Sequence, residues 1–130
     1  MNTRLGILPP GGANFSQPCV VRDVLDRVGD QWSLLVLAHL GEQSMRFNAL
    51  HRAIGDISKQ VLSRTLRKLE EDGLVTRTVH ASTPPRVDYA LSAMGQSFLT
   101  PLKTLMDWAD DHHLAILDAR ANFQATRTDD

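Results

Sequence analysis

The 130-residue chain contains one cysteine and few aromatic residues, and it lacks a long apolar run. A single cysteine, Cys19, excludes an intrachain disulfide and a multi-cysteine zinc site. No apolar stretch approaches the roughly 18 residues that span a membrane, and the first 17 residues do not follow the pattern of a secretion signal. We therefore expect a cytoplasmic protein with no membrane partner, built as one globular domain with an extra element for assembly.

An excess of charge of one sign is also missing, since the formal net charge is -1. The charge is nevertheless unevenly distributed along the chain. Residues 46–86 contain eight basic and four acidic side chains, whereas the segments on both sides are acidic overall. A basic segment between acidic flanks is typical of a localised surface for a polyanion, although scattered solvated charge would give the same count.

Apolar spacing predicts two helices in the first part of the chain. Valine and leucine residues recur at helical spacing from Val20 and stop at Gly29, which is a plausible C-terminal cap. Asp30 is the expected N-cap of a second, largely buried helix that ends at Gly41. Residues 1–17 are expected to form a flexible arm before this region.

The next segment predicts a helix-turn-helix. A short helix is expected to begin with Asn48 as N-cap, and a longer one to begin after Ser58 and end near Asp72. Gly73 and Leu74 would close the longer helix in a Schellman ending. Two helices joined by a short turn, the second of them basic, are the components of a helix-turn-helix.

Two segments with strand-like alternation follow, residues 75–80 and 87–91. They predict a β-hairpin whose loop is "ASTPPR", with Arg86 at the end of the loop and its guanidinium reaching outward. A helix-turn-helix followed by a basic hairpin is a winged helix. The predicted fold class is therefore mainly α with a small β-hairpin (α+β), with a DNA-binding domain over residues 18–92.

Residues 93–120 predict one terminal helix, followed by a flexible tail over 121–130. Its apolar side chains recur in steps of four and three, which is typical of a heptad seam for self-association. The seam comprises Phe98, Leu102, Leu105, Ala109, His112 and Ile116. Pro101 should kink this helix or restart it with Thr100 as cap.

The helix over residues 58–72 carries its basic residues before its acidic ones, against the preference of the helix dipole. Projection at 100° per residue places Gln60, Arg64 and Arg67 opposite a leucine stripe, where they could enter a DNA major groove. The candidate DNA-binding residues on this helix are Ser58, Lys59, Gln60, Ser63, Arg64 and Arg67, with Arg46 and Arg86 outside it. The alternative is a set of i, i+4 ion pairs, Arg67 with Glu71 and Lys68 with Asp72, that need no ligand.

Other site chemistries have weaker support. His112 and His113 lie near three aspartates, but adjacent side chains on a helix diverge by about 100° and do not converge on one metal ion. No catalytic triad order, phosphate-binding glycine loop or paired-carboxylate motif is present. We therefore expect no metal, no cofactor and no enzymatic activity.

Several ordered motifs resemble the HxlR-type winged helix-turn-helix transcriptional regulators of bacteria, relatives of the MarR group. They are "CVVRDVLDRVGDQWSLLVL", "RFNALHRAIGDISKQVLSRTLRKLEEDGLV", "PPRVDYALSAMG" and "MDWADDHH". The resemblance implies a homodimer, paired through terminal helices that include Trp108, on a near-palindromic double-stranded operator. It also implies that residues 58–67 form the recognition helix and that Arg86 serves the wing.

The resemblance raises one alternative function, a sensor that responds to a redox signal, an electrophile or a small molecule. Cys19 matches a cysteine that some family members use as a switch, and a pocket at the dimer interface would be a second route. Val20 departs from the proline that the family usually has after this cysteine, and Asp30 and Gln31 depart from its Gly-Lys pair. A buried, structural Cys19 is the competing interpretation.

Overall fold

The computed structural model describes residues 20–127. The predicted arm over residues 1–17 and Cys19 lie outside the described residues, as do residues 128–130. The elements in chain order are α1 (Val20–Val28), α2 (Gln31–Glu42), β1 (Met45–Arg46), α3 (Phe47–Ile54), α4 (Lys59–Glu71), β2 (Val75–His80), β3 (Arg86–Leu91) and α5 (Ala93–Arg127). The mainly helical class, the winged helix-turn-helix order and the terminal helix are confirmed.

The sheet is antiparallel with the order β1-β3-β2. The predicted hairpin is confirmed, and Val75 pairs with Leu91 at its base while His80 pairs with Arg86 at its tip. The third strand, β1, was not predicted. It has only two residues, too few to show alternation, and Met45 is recognisable as a strand residue only because it pairs with Tyr89.

The core lies where α2, α4 and the sheet meet. The predicted leucine stripe of α4 is confirmed, since Leu62, Leu66 and Leu69 are all buried. Facing them from α2 are Val36, Leu37 and Leu40. Each fully buried leucine of this kind contributes roughly 1.5–3 kcal/mol of transfer free energy, so α4 is fixed firmly on its inner side.

The starts of the helices agree with the sequence at two positions and differ at one. Ser58 caps α4, with its Oγ accepting a hydrogen bond from the Val61 amide at 3.1 Å. Asp30 caps α2 in the same way through Ser33. The prediction for Asn48 is wrong: α3 begins at Phe47, because β1 holds the backbone extended through Arg46 and the helix starts directly after it.

Gly73 and Gly41, both expected at helix ends, have different roles. Gly73 has a φ of 80°, and Leu74 N donates to Leu69 O at 2.9 Å, so the Schellman ending of α4 is confirmed. Gly41, in contrast, lies inside α2, which continues to Glu42. Its role is close packing, since a Cβ there would lie 2.9 Å from Leu99 Cδ2.

The terminal helix α5 is one continuous helix of 35 residues, about 52 Å long. The predicted restart at Thr100 is wrong. Pro101 is exposed on the helix, where water can bond the carbonyl that proline leaves unpaired, and the next residue, Leu102, is anchored in the core. The helix also continues through residues 121–127, which the sequence assigns to a tail.

Candidate nucleic-acid interface

The outer face of α4 presents polar and basic side chains to solvent. The exposed members are Ser58, Lys59, Gln60, Ser63, Arg64 and Arg67, so the structure brings together all six residues that the sequence selected in this region. Gln60, Arg64 and Arg67 lie nearly opposite the buried leucines, which fix the inner face of the helix. This surface has the width and chemistry that a reading helix needs in a major groove.

The basic side chains on this face keep their charges unneutralised. Among residues 20–127, no acidic group lies within ion-pair distance of Lys59, Arg64 or Arg67. The alternative of i, i+4 pairs within α4 is therefore wrong. Its acidic members are held by another helix, and its other basic member, Lys68, is held by Asp30.

Arg27 of α1 binds the acidic end of α4. Its Nη2 donates to Glu71 Oε1 at 2.7 Å and to Asp72 Oδ1 at 3.0 Å, and its Nε donates to Asp72 Oδ2 at 2.7 Å. The hydrogen bonds that Arg27 donates raise the pKa of its guanidinium above its ordinary value. The bonds to Asp72 have the largest effect, and the bond to Glu71 has the next largest. Glu71 and Asp72 at the end of α4 thus form ion pairs with α1, and they do not neutralise the basic residues earlier in α4.

Asp30 connects the start of α2 to α4. One carboxylate oxygen accepts from the Ser33 amide at 2.9 Å, and the other accepts from Ser33 Oγ at 2.7 Å and from Lys68 Nζ at 2.8 Å. Partial burial alone would raise the pKa of Asp30, but the hydrogen bonds from Lys68 and Ser33 outweigh it and lower the pKa to about 2. Asp30 is therefore a charged cap that also fixes the flank of α4.

At the sheet, two arginines and a histidine surround one carboxylate. Arg86 Nε lies 3.2 Å from Asp88 Oδ1, His80 Nε2 lies 2.9 Å from Asp88 Oδ2, and Arg46 Nε lies 4.0 Å from Asp88 Oδ1. The hydrogen bond from Arg86 lowers the pKa of Asp88, and with help from His80 it outweighs desolvation. Arg86 begins β3 and is not a loop residue, so the predicted outward reach is limited by its bond along the strand.

A polar cleft of about 320 Å³ separates α4 from the sheet. Its lining consists of Ser63, Arg67, Glu70, Arg77 and Tyr89. Sequence reasoning missed Arg77 and Tyr89 as site residues. The signal was available for Arg77, because alternation along β2 places it on the same face as the buried Val75, toward α4.

The residues predicted for self-association do not form one exposed seam. Leu102 is buried and Phe98 packs against the domain's own core. Farther along α5, the predicted residues that remain exposed or partly exposed are Leu105, Trp108, Ala109, His112 and Ile116. The rings of Trp108 and His112 are stacked with centroids 4.4 Å apart, and His112 Nδ1 lies 2.9 Å from the Trp108 carbonyl oxygen.

Helix α1 adds an apolar surface of its own. Its exposed members are Val20, Val21, Val24 and Leu25.

Within the described part of the chain, no group of three or more metal-ligating side chains is positioned to hold an ion. Nor does any described helix combine the length and apolarity required for a membrane span.

Comparison with known proteins gives a consistent family. A model of the HxlR-like helix-turn-helix family matches residues 27–116. The uncharacterized HTH-type transcriptional regulator YtfH of Escherichia coli (strain K12) is 35% identical over 113 residues, which cover 85% of this chain and 90% of the relative.

Solved structures agree in fold. The structure of ytfH from Salmonella typhimurium matches with a TM-score of 0.73 and 31% identity, covering 83% of this chain and 96% of that one. The redox regulator HypR in its reduced form matches with a TM-score of 0.72 and 28% identity, covering 75% of this chain and 97% of that one.

Proposed function

This chain belongs to the HxlR-like helix-turn-helix family of transcriptional regulators, and from that premise we propose that it is a homodimeric repressor that binds a near-palindromic operator. The observation that carries the proposal is the set of unpaired basic side chains on the exposed surface of α4. Arg64 and Arg67 lie opposite a buried leucine stripe, and Lys59 lies in the first turn. Several basic side chains on one helix that have no acidic partner in the protein are typical of a surface that binds a polyanion.

Each part of α4 has a role in the proposed complex. Lys59 lies in the first turn, where free backbone N-H groups and the helix dipole also favour a phosphate. Arg64, on the outermost side of the helix, is the residue type that binds guanine O6 and N7 in the major groove. Arg86 at the start of β3 and Arg46 in β1 would contact the adjacent phosphate backbone.

Dimerisation would place two copies of α4 on one face of the duplex. The exposed apolar residues of α1 and of the second half of α5 support it, because a second copy could cover both surfaces. A dimer that occupies an operator blocks polymerase by occupancy alone, which is the reason for proposing a repressor.

The test is fluorescence anisotropy of the purified protein with DNA that flanks its own gene, against a scrambled duplex of equal length. We expect tighter binding to the flanking DNA, with affinity falling steeply as salt rises because phosphate contacts release counterions. Arg64→Ala should remove the preference while the protein stays dimeric. Equal affinity of the wild-type protein for both duplexes would refute sequence-specific regulation.

A second candidate function is control of DNA binding by a thiol. The supporting observation is the similarity to HypR, described as a redox regulator. Cys19 itself lies outside the described residues, but it directly precedes Val20, where α1 begins, and α1 is attached to the end of α4 through Arg27. A change at Cys19 would therefore have a short route to the reading helix.

Diamide treatment tests this candidate. The wild-type protein should change its operator affinity on oxidation and recover it with dithiothreitol, whereas Cys19→Ser should bind the same before and after. If both proteins respond alike, or neither does, Cys19 is not the sensor.

A further inference from the structure

The cleft between α4 and the sheet contains two guanidinium side chains that approach from different elements. Arg67 comes from α4 and Arg77 from β2, and both are exposed. Arg77 pairs in register with Tyr89 across the hairpin, which fixes the strand side of the cleft. The helix side is equally well fixed, because the leucines on either side of Arg67, Leu66 and Leu69, are buried.

Neither arginine is neutralised by the protein. Within residues 20–127, no carboxylate lies within ion-pair distance of Arg67 or Arg77, and the Tyr89 hydroxyl has no hydrogen-bond partner there. Glu70 is the one carboxylate in the lining. The cleft thus holds two positive charges against one negative, together with the Ser63 and Tyr89 hydroxyls as neutral donors.

The position of Arg67 around the helix differs from that of Arg64. Residues three apart on an α-helix are separated by about 60° around the axis. Arg64 lies on the outermost side of α4, whereas Arg67 lies toward the sheet and lines the cleft. This difference brings Arg67, and not Arg64, into the lining of the cleft.

The geometry of DNA gives this cleft an occupant. In the proposed complex α4 enters the major groove, and Arg46 and Arg86 of the sheet contact the adjacent phosphate backbone. The backbone that borders the groove would then pass between α4 and the sheet. The space between α4 and the sheet is the cleft lined by Arg67 and Arg77.

We infer that Arg67 and Arg77 together bind one phosphodiester of the operator backbone, with the Tyr89 hydroxyl as a further donor. This inference rests on the proposed DNA-binding function and assigns base reading and positioning to different arginines. Arg64 discriminates bases, and the Arg67–Arg77 pair fixes the position of the helix by holding a phosphate that carries no sequence information. Two guanidinium groups suit this ligand, because each offers paired N-H donors to phosphate oxygens.

The experiment measures affinity for the flanking duplex, and for a set of duplexes with single base changes, at several salt concentrations. Arg67→Ala and Arg77→Ala should each weaken binding about tenfold for every duplex and leave the order of preference unchanged. The double variant Arg67→Ala with Arg77→Ala should also reduce the slope of log affinity against log salt by about 0.9, the value for one lost phosphate contact. Arg120→Ala, which removes the same charge from the far end of α5, is the matched control and should have little effect on either quantity.

Two further variants separate a phosphate contact from base reading. Arg67→Lys should keep most of the affinity and salt slope, since an ammonium still binds a phosphate, whereas Arg64→Lys should lose discrimination at one base position. Glu70→Gln should tighten binding, because it removes the carboxylate that repels the phosphate.

Several results would overturn the inference. The first is a change of preference at one base position in Arg67→Ala, and the second is an unchanged affinity of Arg77→Ala for DNA. The third is tighter binding of inorganic phosphate by the wild-type protein than by the two variants, with no effect of either substitution on DNA binding. All three leave wild-type DNA binding intact. Failure of the proposed function would instead appear in the wild-type protein, as equal affinity for flanking and scrambled DNA.

Discussion

At the scale of single residues, the charges of α4 are divided according to whether a neighbouring element reaches them. Arg27 reaches Glu71 and Asp72, and Asp30 reaches Lys68. Nothing in the described part of the chain reaches Arg64 or Arg67 with an opposite charge. The order of basic before acidic residues, which a helix dipole disfavours, is therefore maintained by contacts outside the helix.

Asp30 provides a prediction at this scale. Its pKa is lowered from 3.8 to about 2 in the folded chain, so its contribution to stability is complete above about pH 4 and is lost as the pH falls through 2. Because the side chain is 43% exposed, we expect Asp30→Asn to lower the free energy of unfolding at pH 7 by only roughly 1 kcal/mol. Asparagine still caps α2 through its Oδ1, so the loss reports the charge together with the hydrogen bonds that Oδ2 accepts from Lys68 and Ser33.

Urea denaturation from pH 7 to pH 2 measures this effect. The wild-type and Asp30→Asn curves should converge as the pH falls from 4 to 2, whereas Asp56→Asn, at an exposed aspartate, should follow the wild type. A constant difference between wild type and Asp30→Asn at every pH would contradict the role given to the carboxylate.

At the scale of elements, the sequence predicts what depends on local pattern. The leucine stripe, the Ser58 cap and the Gly73 ending each involve residues only a few positions apart, and each follows from spacing and residue type. The start of α3 could not be predicted, because a two-residue strand that pairs with β3 decides it. The continuity of α5 through Pro101 likewise depends on solvent exposure, which local pattern does not give.

In the candidate site, too, local sequence pattern predicts some features and not others. Exposure of Arg64 could be read from helical periodicity, since it lies opposite the buried leucines. The partnership of Arg67 and Arg77 could not, because ten residues and a change from helix to strand separate them. The register of the hairpin then determines that Tyr89 lies beside them.

The start of α5 provides a prediction at the element scale. A Cβ at Gly95 would overlap the Leu74 carbonyl oxygen and approach Leu91 Cβ to 3.3 Å, so only glycine allows α5 to pack this closely on the connection after α4. Gly95→Ala should destabilise the protein by about 1–3 kcal/mol, despite the better helix propensity of alanine. Chemical denaturation measures the change.

Its control is the exposed neighbour, Gln96→Ala, which should stay within about 0.5 kcal/mol of the wild type. If Gly95→Ala is as stable as the wild-type protein, α5 does not pack on this connection as closely as described.

At the scale of the whole molecule, α5 is longer than its own domain requires. Leu102 is its last buried residue, and Leu105 and Trp108 are each 52% exposed. We predict that Leu105→Glu combined with Trp108→Glu converts the proposed dimer to a monomer, because charge on an apolar interface cannot be desolvated without a partner. Size-exclusion chromatography with light scattering measures the mass.

Thr104→Glu adds a charge at an exposed position beside the seam and should leave the dimer intact. Circular dichroism confirms that each variant is folded. A double variant that remains dimeric would place the interface elsewhere and remove the support that α5 gives to paired half-sites.

Footprinting of the wild-type protein and Arg64→Ala on the DNA that flanks its own gene measures whether α4 of a homodimer reads the operator. We predict two protected half-sites related by a dyad, with centres about 34 Å apart or at a multiple of that distance, because two copies of α4 must lie on one face of the duplex. Arg64→Ala, still dimeric, should lose this protection. A single half-site, or an unchanged footprint in Arg64→Ala, would contradict the claim that α4 of a homodimer reads the operator.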